Sequence, residues 1–281
     1  MVFWKFWLLI CSRIPRLPVI DELFLLVVAI IRNGGPHRLL SNALNLQLTK
    51  NLVLGHLSSP LVRKTSSKLG LKAFVEEKLG SGFTCTTIDV MDGLDSVAEF
   101  MHNQDCYVKK NFGSGDAQLV IAGCQPQTRS WRAKTEYFNY SRQPQYLSKT
   151  NYYIAEATAF PNLKYSNDFK FLIFKNKIRF VQVDLDRFTQ HERVLYSAQW
   201  EKLDFNLHYP VSSRTEKKPD NFQEMCDIAL KLAIPFKLVR VDLYSNGTDV
   251  IVGELTHFHG GAGERIVPQS KTKCFNQLFV D

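Results

Sequence analysis

The pair Asn246-Gly247, set between two runs of alternating apolar and polar residues, constrains this chain most. Asn-Gly suits the positive backbone angles of a tight hairpin turn, so antiparallel strands are predicted over 237–244 and 250–255. Successive side chains on a strand point to opposite faces, which puts Arg240 and Asp242 together. Glu254 and Thr256 can join them from the partner strand. Two carboxylates with small oxygen donors suit a hard cation such as Mg²⁺, which takes one or two carboxylates plus substrate phosphates.

The same reading gives strands at 152–157, 169–174 and 178–183. A hairpin is predicted from 106–110 and 117–122 across a glycine turn, and residues 125–150, with Pro126 and Pro144, read as an exposed loop region. Helices are expected at 67–79, stopped by Gly80-Ser81-Gly82, at 92–101, and at 221–232, closed by Pro235. Strands dominate the second half with helices interspersed, so the class is α+β or mixed α/β.

At 281 residues the chain is at the upper edge of what one core organises, and 45% apolar with 22% charged residues excludes wholesale disorder. A net charge of +8 favours an anionic partner: nucleotide, acidic glycan, nucleic acid or anionic membrane. No helix-turn-helix or RNA-recognition motif emerges, so no nucleic acid is expected. Six cysteines without a C-x-x-C pair read as reduced structural thiols in a cytosolic protein. His257 and His259 lack a nearby third ligand, which leaves substrate contact or a plain loop ahead of zinc.

The apolar runs 3–10 and 23–31 are each far short of the about 20 residues that span a bilayer. Lys5 inside the first run, with no small-residue cleavage site after it, argues against a signal peptide. Two readings stand: helices packed on the body, or peripheral contact through residues 1–33 with the cytoplasmic membrane face. Trp4, Trp7, Lys5, Arg13 and Arg16 suit the headgroup zone.

Two further clusters carry chemistry. In Lys109-Lys110-Asn111-Phe112-Gly113-Ser114-Gly115 a strand-borne lysine precedes a turn whose N–H groups can approach phosphate. It is not a Walker loop, because the lysine comes before the glycines. In Asp168-Phe169-Lys170-Phe171, alternation places a carboxylate and an ammonium in one space; the alternative is a solvated charged face. Asp184-Leu185-Asp186 has the D-x-D form that many metal-dependent glycosyltransferases use.

Taken in order, these motifs closely resemble the TupA-like branch of the ATP-grasp superfamily over residues 60–266. Ser67-Lys68 stands where that branch has Asp-Lys at a helix start, and KKNFGSG (109–115) where it has a KPNHGSG-like loop. Glu156, DFKF (168–171), Asp186-Arg187, RVDLY (240–244) and GELT (253–256) complete the pattern. Ser67, Lys110 and Phe112 depart from it; Phe112 replaces a loop histidine, which leaves one phosphate or substrate contact unassigned.

The resemblance implies an α+β, ATP-grasp fold: two α/β subdomains clasping ATP between antiparallel sheets, with an N-terminal helical region. Its expected divisions are a helical region at 1–58, a mixed linking subdomain at 59–105, a lid at 106–158 and a catalytic subdomain at 159–281. It further implies that Lys68 and Lys109 hold the phosphates of ATP under Gly113, Ser114 and Gly115, with Glu156 at the adenine and ribose edge. Asp168 and Lys170 would line the cleft, Asp242, Glu254 and Thr256 would carry Mg²⁺, and Arg240, Arg187 and Lys170 would serve the transferring phosphoryl group. His257, His259, Gly260, Gly261, Asp184, His191 and Arg193 are the expected substrate contacts. Arg129, Arg132, Lys134 and Arg142 are either a basic attraction for an acidic glycan or a solvated loop.

The implied reaction activates a carboxylate as an acylphosphate for attack by an amine. An acidic glycan or its precursor and an amino acid or amine are the expected substrates, in the cytoplasm or at its membrane face. The alternatives are a glycosyltransferase of polysaccharide assembly and a non-catalytic nucleotide-binding scaffold.

Overall fold

The computed structural model describes residues 17–113, 117–128, 142–143, 152–160, 168–186 and 190–280. Helices come first: α1 (Pro18–Arg32), α2 (Pro36–Leu40), α3 (Ala43–Val53), α4 (Pro60–Thr65) and α5 (Lys68–Leu79). Proline opens α1, α2 and α4, where its missing N–H costs nothing. Asn42, Ser59 and Ser67 cap α3, α4 and α5 by accepting from Asn45, Val62 and Gly70 N–H. No described helix is long and apolar enough to cross a membrane.

Next come β1 (Thr87–Asp92), α6 (Leu94–Glu99), β2 (Cys106–Lys110), β3 (Gln118–Val120) and β4 (Tyr152–Ala157). They build an antiparallel sheet in the order β1-β4-β2-β3. The sheet thus draws its first strand, β1, from a stretch where the sequence marked none. The physical reason is that β1 is an edge strand with only Met91 buried, so it lacks a buried alternating face that would mark it in sequence.

The second half holds β5 (Asp168–Phe174), β6 (Lys177–Leu185), β7 (Glu192–Tyr196), β8 (Asn206–Leu207), α7 (Phe222–Ala233), β9 (Leu238–Ser245), β10 (Val250–Thr256), β11 (Ile266–Val267) and α8 (Thr272–Gln277). The main sheet runs β10-β9-β5-β6-β7, and β8 pairs with β11 apart from it. Phe169, Phe171 and Ile173 point to one face, which α7 covers; the Phe171 and Phe222 rings lie 6.0 Å apart. The other face is divided along its length. Asp168 and Lys170 occupy one end, while Leu172 and Phe180 at the other end belong to the core that Phe275 of α8 completes.

The two sheets have separate cores among the described residues. Beneath the first sheet lie Met91, Val97, Phe100, Cys106, Val108 and Tyr153; the N-terminal helices, α5, the second sheet, α7 and α8 share the larger core.

Candidate active site

The register of the main sheet writes a row of charged and polar side chains across it. Glu254 opposes Asp242, Asp242 opposes Lys170, and Lys170 opposes Gln182. Plain alternation along VIVGELT would have grouped Val252 with Glu254. A bulge at Gly253 resolves this: Val252 pairs with Leu243 on the apolar face, and Glu254 with Asp242 on the polar one. Glycine is needed there for space, since a Cβ would lie 2.6 Å from the Tyr244 ring.

Lys170 is buried between two carboxylates, bonded to Asp168 and 2.9 Å from Asp184. The charged face is therefore not solvated. Arg193 Nε donates to Asp184 at 3.0 Å, Gln182 Nε2 donates to the same carboxylate, and His191 Nε2 lies 3.3 Å away. Burial opposes ionisation of Asp184, but Lys170 and Arg193 hold its carboxyl well below the usual range. Gln182 Oε1 is buried and accepts no hydrogen bond from the described residues.

A second knot lies beside the first. The Arg240 guanidinium grips Asp242 through two bonds of 2.6 Å. Burial pushes the Asp242 carboxyl up to about 6 against the pull of Arg240 and Lys170, with Asp168 adding to the rise. Arg240 also donates to His259 Nδ1 at 2.9 Å, so that nitrogen is the acceptor and His259 Nε2–H donates to Glu264 at 2.8 Å. Glu264 reaches on to Arg193 at 3.3 Å and closes the circuit between the knots. Burial is the main opponent of charge on Glu264, yet His259 and Arg193 keep its carboxyl low. Glu264, Gln182 and Lys72 were not marked by sequence reasoning. A lone amide inside the apolar run FVQVDL was the available signal for Gln182.

Glu254 is half-buried, with Thr256 Oγ1 donating to it at 3.2 Å. Burial raises its carboxyl, but Lys68 and then Arg240 outweigh that and hold it below its ordinary value. Lys68 Nζ donates to Gly113 O at 3.0 Å, and its own N–H donates to Asn111 O, so the start of α5 is fastened to the segment after β2. The segment after β2 and the strand β10 therefore meet at Lys68. Ser114, Gly115 and Arg187 lie outside the described residues.

On the first sheet Lys109 and Glu156 share a face and are paired, with Lys72 of α5 2.9 Å from the same carboxylate. Burial works against this carboxylate, and the two ammoniums together hold it low. Lys68, Lys72, Lys109, Glu156, Tyr244 and Gly253 border one crevice of about 20 Å³, where the two sheets face each other.

Some expected residues stand apart. His257 is buried against the Phe236 ring and donates to Thr65 Oγ1 at 2.8 Å, whose own hydrogen goes to Leu61 O. It shares no partner with His259, which bonds to Arg240 and Glu264, and no cluster of three metal-ligating side chains occurs among the described residues. Gly260 and Gly261 adopt φ of 56° and 62°. The Arg32 guanidinium of α1 packs against Gly261 and Gly263, while Asn33 donates to Ala262 O at 2.7 Å and Asn45 to Glu264 O at 3.0 Å. Arg142 is neither a glycan attractor nor solvated: it is buried in an ion pair with Asp21 and lies over the Phe24 ring. Arg129, Arg132 and Lys134 lie outside the described residues. The D-x-D pair is split, because Asp184 points into the buried knot while exposed Asp186 pairs with Arg214.

The donor set fits a hard divalent ion. Asp168, Asp184, Asp242, Glu254 and Glu264 face Lys68, Lys170, Arg193 and Arg240, an excess of one negative charge. All candidate donors are oxygens, as Mg²⁺ requires.

A family model described as TupA-like ATPgrasp matches residues 48–280. Among solved structures the chain is similar to the ATP-grasp ligase PsnB with a minimal precursor, at 14% identity and a TM-score of 0.38, covering 80% of this chain and 63% of that one. It is similar to a D-alanine–D-alanine ligase from Bacillus anthracis at 13% and 0.40, covering 76% and 64%. The D-cycloserine synthetase DcsG gives 15% and 0.40, covering 78% and 71%. The chain thus spans less than two thirds of the length of the first two. No curated protein matches it.

Proposed function

The chain belongs to the TupA-like ATP-grasp family, and on that premise we propose that it is an ATP-dependent carboxylate–amine ligase acting on a uronic acid of a bacterial cell-surface polysaccharide or its precursor. The observation that carries this is the meeting of Lys68, the segment after β2 and the Glu254–Asp242–Lys170 row.

A substrate carboxylate oxygen attacks the γ-phosphorus of ATP; the bond to the β-phosphate oxygen breaks and ADP leaves. An amine nitrogen then attacks the acyl carbon, phosphate departs, and a proton lost from nitrogen leaves an amide. Neither step needs a protein nucleophile. Positioning and cationic charge supply the catalysis. Lys68 and Lys109 neutralise the phosphates, and Lys170 and Arg240 face the charge that moves between the oxygens. Asp242 and Glu254, with Thr256 alongside, would hold Mg²⁺, which when bound neutralises phosphate oxygens. A crevice of about 20 Å³ holds little more than a water, so admitting a nucleotide requires the two sheets to part. The net charge of +8 suits an acidic sugar.

The test is ADP release with Mg²⁺, ATP, a uronate and a panel of amino acids, with product identified by mass spectrometry. Turnover should require both organic substrates, and Asp242→Asn or Glu254→Gln should lower it about 10²–10³-fold. Undiminished ligation in both variants would mean that the metal and phosphate assignment is wrong.

A further inference from the structure

We infer that α1 docks in the plane of an anionic lipid bilayer. One side of α1 is committed to the body: Asp21, Leu25 and Ala29 are buried, and Asn33 at its end reaches the loop 259–264, called the acceptor loop because the proposed function has the acceptor bind there. The opposite side is apolar and bare. Val19, Leu23, Val27 and Ile31 follow one another at four-residue spacing and are 74%, 60%, 43% and 61% exposed. Over its 15 residues α1 is about 22 Å long, so the stripe runs the length of a helix lying flat at an interface.

Charge selects the occupant. Both acidic residues of α1 are turned inward, Asp21 into its ion pair with Arg142 and Glu22 onto Ser58 Oγ at 2.5 Å. The charges left exposed at the end of the helix are basic, Arg32 and then Arg38, with His37 beside them. An apolar stripe with an exposed basic end matches acyl chains beneath anionic headgroups better than it matches a second, equally basic copy of this chain. The sequence ahead of α1 adds Trp4, Trp7, Lys5, Arg13 and Arg16, the residue types of a headgroup zone. Because Arg32 packs against Gly261 and Gly263, docking would bring the acceptor loop to the membrane surface. A substrate carried on a lipid would be met there.

The test is co-sedimentation of the full chain with phosphatidylcholine vesicles, with and without phosphatidylglycerol, a readout independent of catalysis. Binding should need the anionic lipid. Leu23→Glu with Val27→Glu should weaken it by about tenfold or more without changing far-UV circular dichroism, and Val27→Trp should tighten it. Undiminished binding by the double variant, or indifference to Val27→Trp, overturns the inference. So does loss of binding only when residues 1–16 are removed. A dimer in light scattering that the double variant dissociates, with no lipid binding, assigns the stripe to a second copy instead.

Discussion

His257 and His259 are two positions apart in sequence and have different partners. His259 is a link between Arg240 and Glu264, neutral at Nδ1 because a guanidinium can only donate to it. His257 is a packing residue whose burial holds its pKa down to about 3. The unfolded chain, with histidine near 6.5, therefore binds a proton that the folded chain refuses between those values. Stability should fall as pH drops through that window, by up to about 1.4 kcal/mol per unit from His257 alone. His257→Gln should flatten the slope, so wild type and variant converge on acidification. Urea titrations of metal-free protein at several pH values would check this; parallel slopes would contradict it. At this scale the charged residues of the site were legible because strand alternation groups them. Lys72 and Glu264 were not: Lys72 meets Glu156 across a long stretch of sequence, and Glu264 joins Arg193, also distant, to nearby His259.

The hairpin of β9 and β10 was readable from Asn246-Gly247 and from its alternating flanks, and its strands run within a residue or so of expectation. Its decisive detail was not. The bulge at Gly253 shifts the phase of β10 so that Glu254 joins Asp242, and only the cross-strand partners reveal it. Gly253→Val should drive a side chain into the Tyr244 ring, costing about 1–3 kcal/mol as an overpacked site and displacing Glu254. Chemical denaturation together with Mg²⁺-dependent ATP binding would measure both effects. A stable variant that binds ATP normally would show that the contact yields without consequence. The strand β1 and the short elements β7, β8 and α8 escaped notice for a related reason: at the ends and edges of sheets, partner contacts decide structure more than local pattern does.

Two cores meet across a narrow crevice, and under the proposed function a nucleotide would enter between them. The smaller core beneath the first sheet should open without the larger one. Val108→Ala, at a fully buried position in the small core, should speed amide exchange in β1–β4 and leave β5, β6 and β9 protected. Leu172→Ala, in the large core, should destabilise the whole chain by about 2–5 kcal/mol. Hydrogen exchange by mass spectrometry separates these outcomes; parallel loss of protection in both sheets after Val108→Ala would make them one cooperative unit. The N-terminal helices belong to the large unit, because Asn33, Asn42 and Asn45 hold the backbone of the loop 259–264.

By itself the amino-acid order determined a mixed helix-and-strand class, the principal strands and helices, and the placing of Asp168 with Lys170, and of Arg240 with Asp242, on one face of a strand. Those properties follow from turn chemistry and from side-chain periods of two and 3.6, which are local. Tertiary structure alone decided that Lys68 stands between the glycine hairpin and Glu254, that Lys109 is matched by Glu156, that His257 bonds to Thr65, and that α1 leans on the loop 259–264. Each of these joins residues distant in sequence, and a contact of that kind is set by how whole elements bury their apolar faces, which no local period encodes.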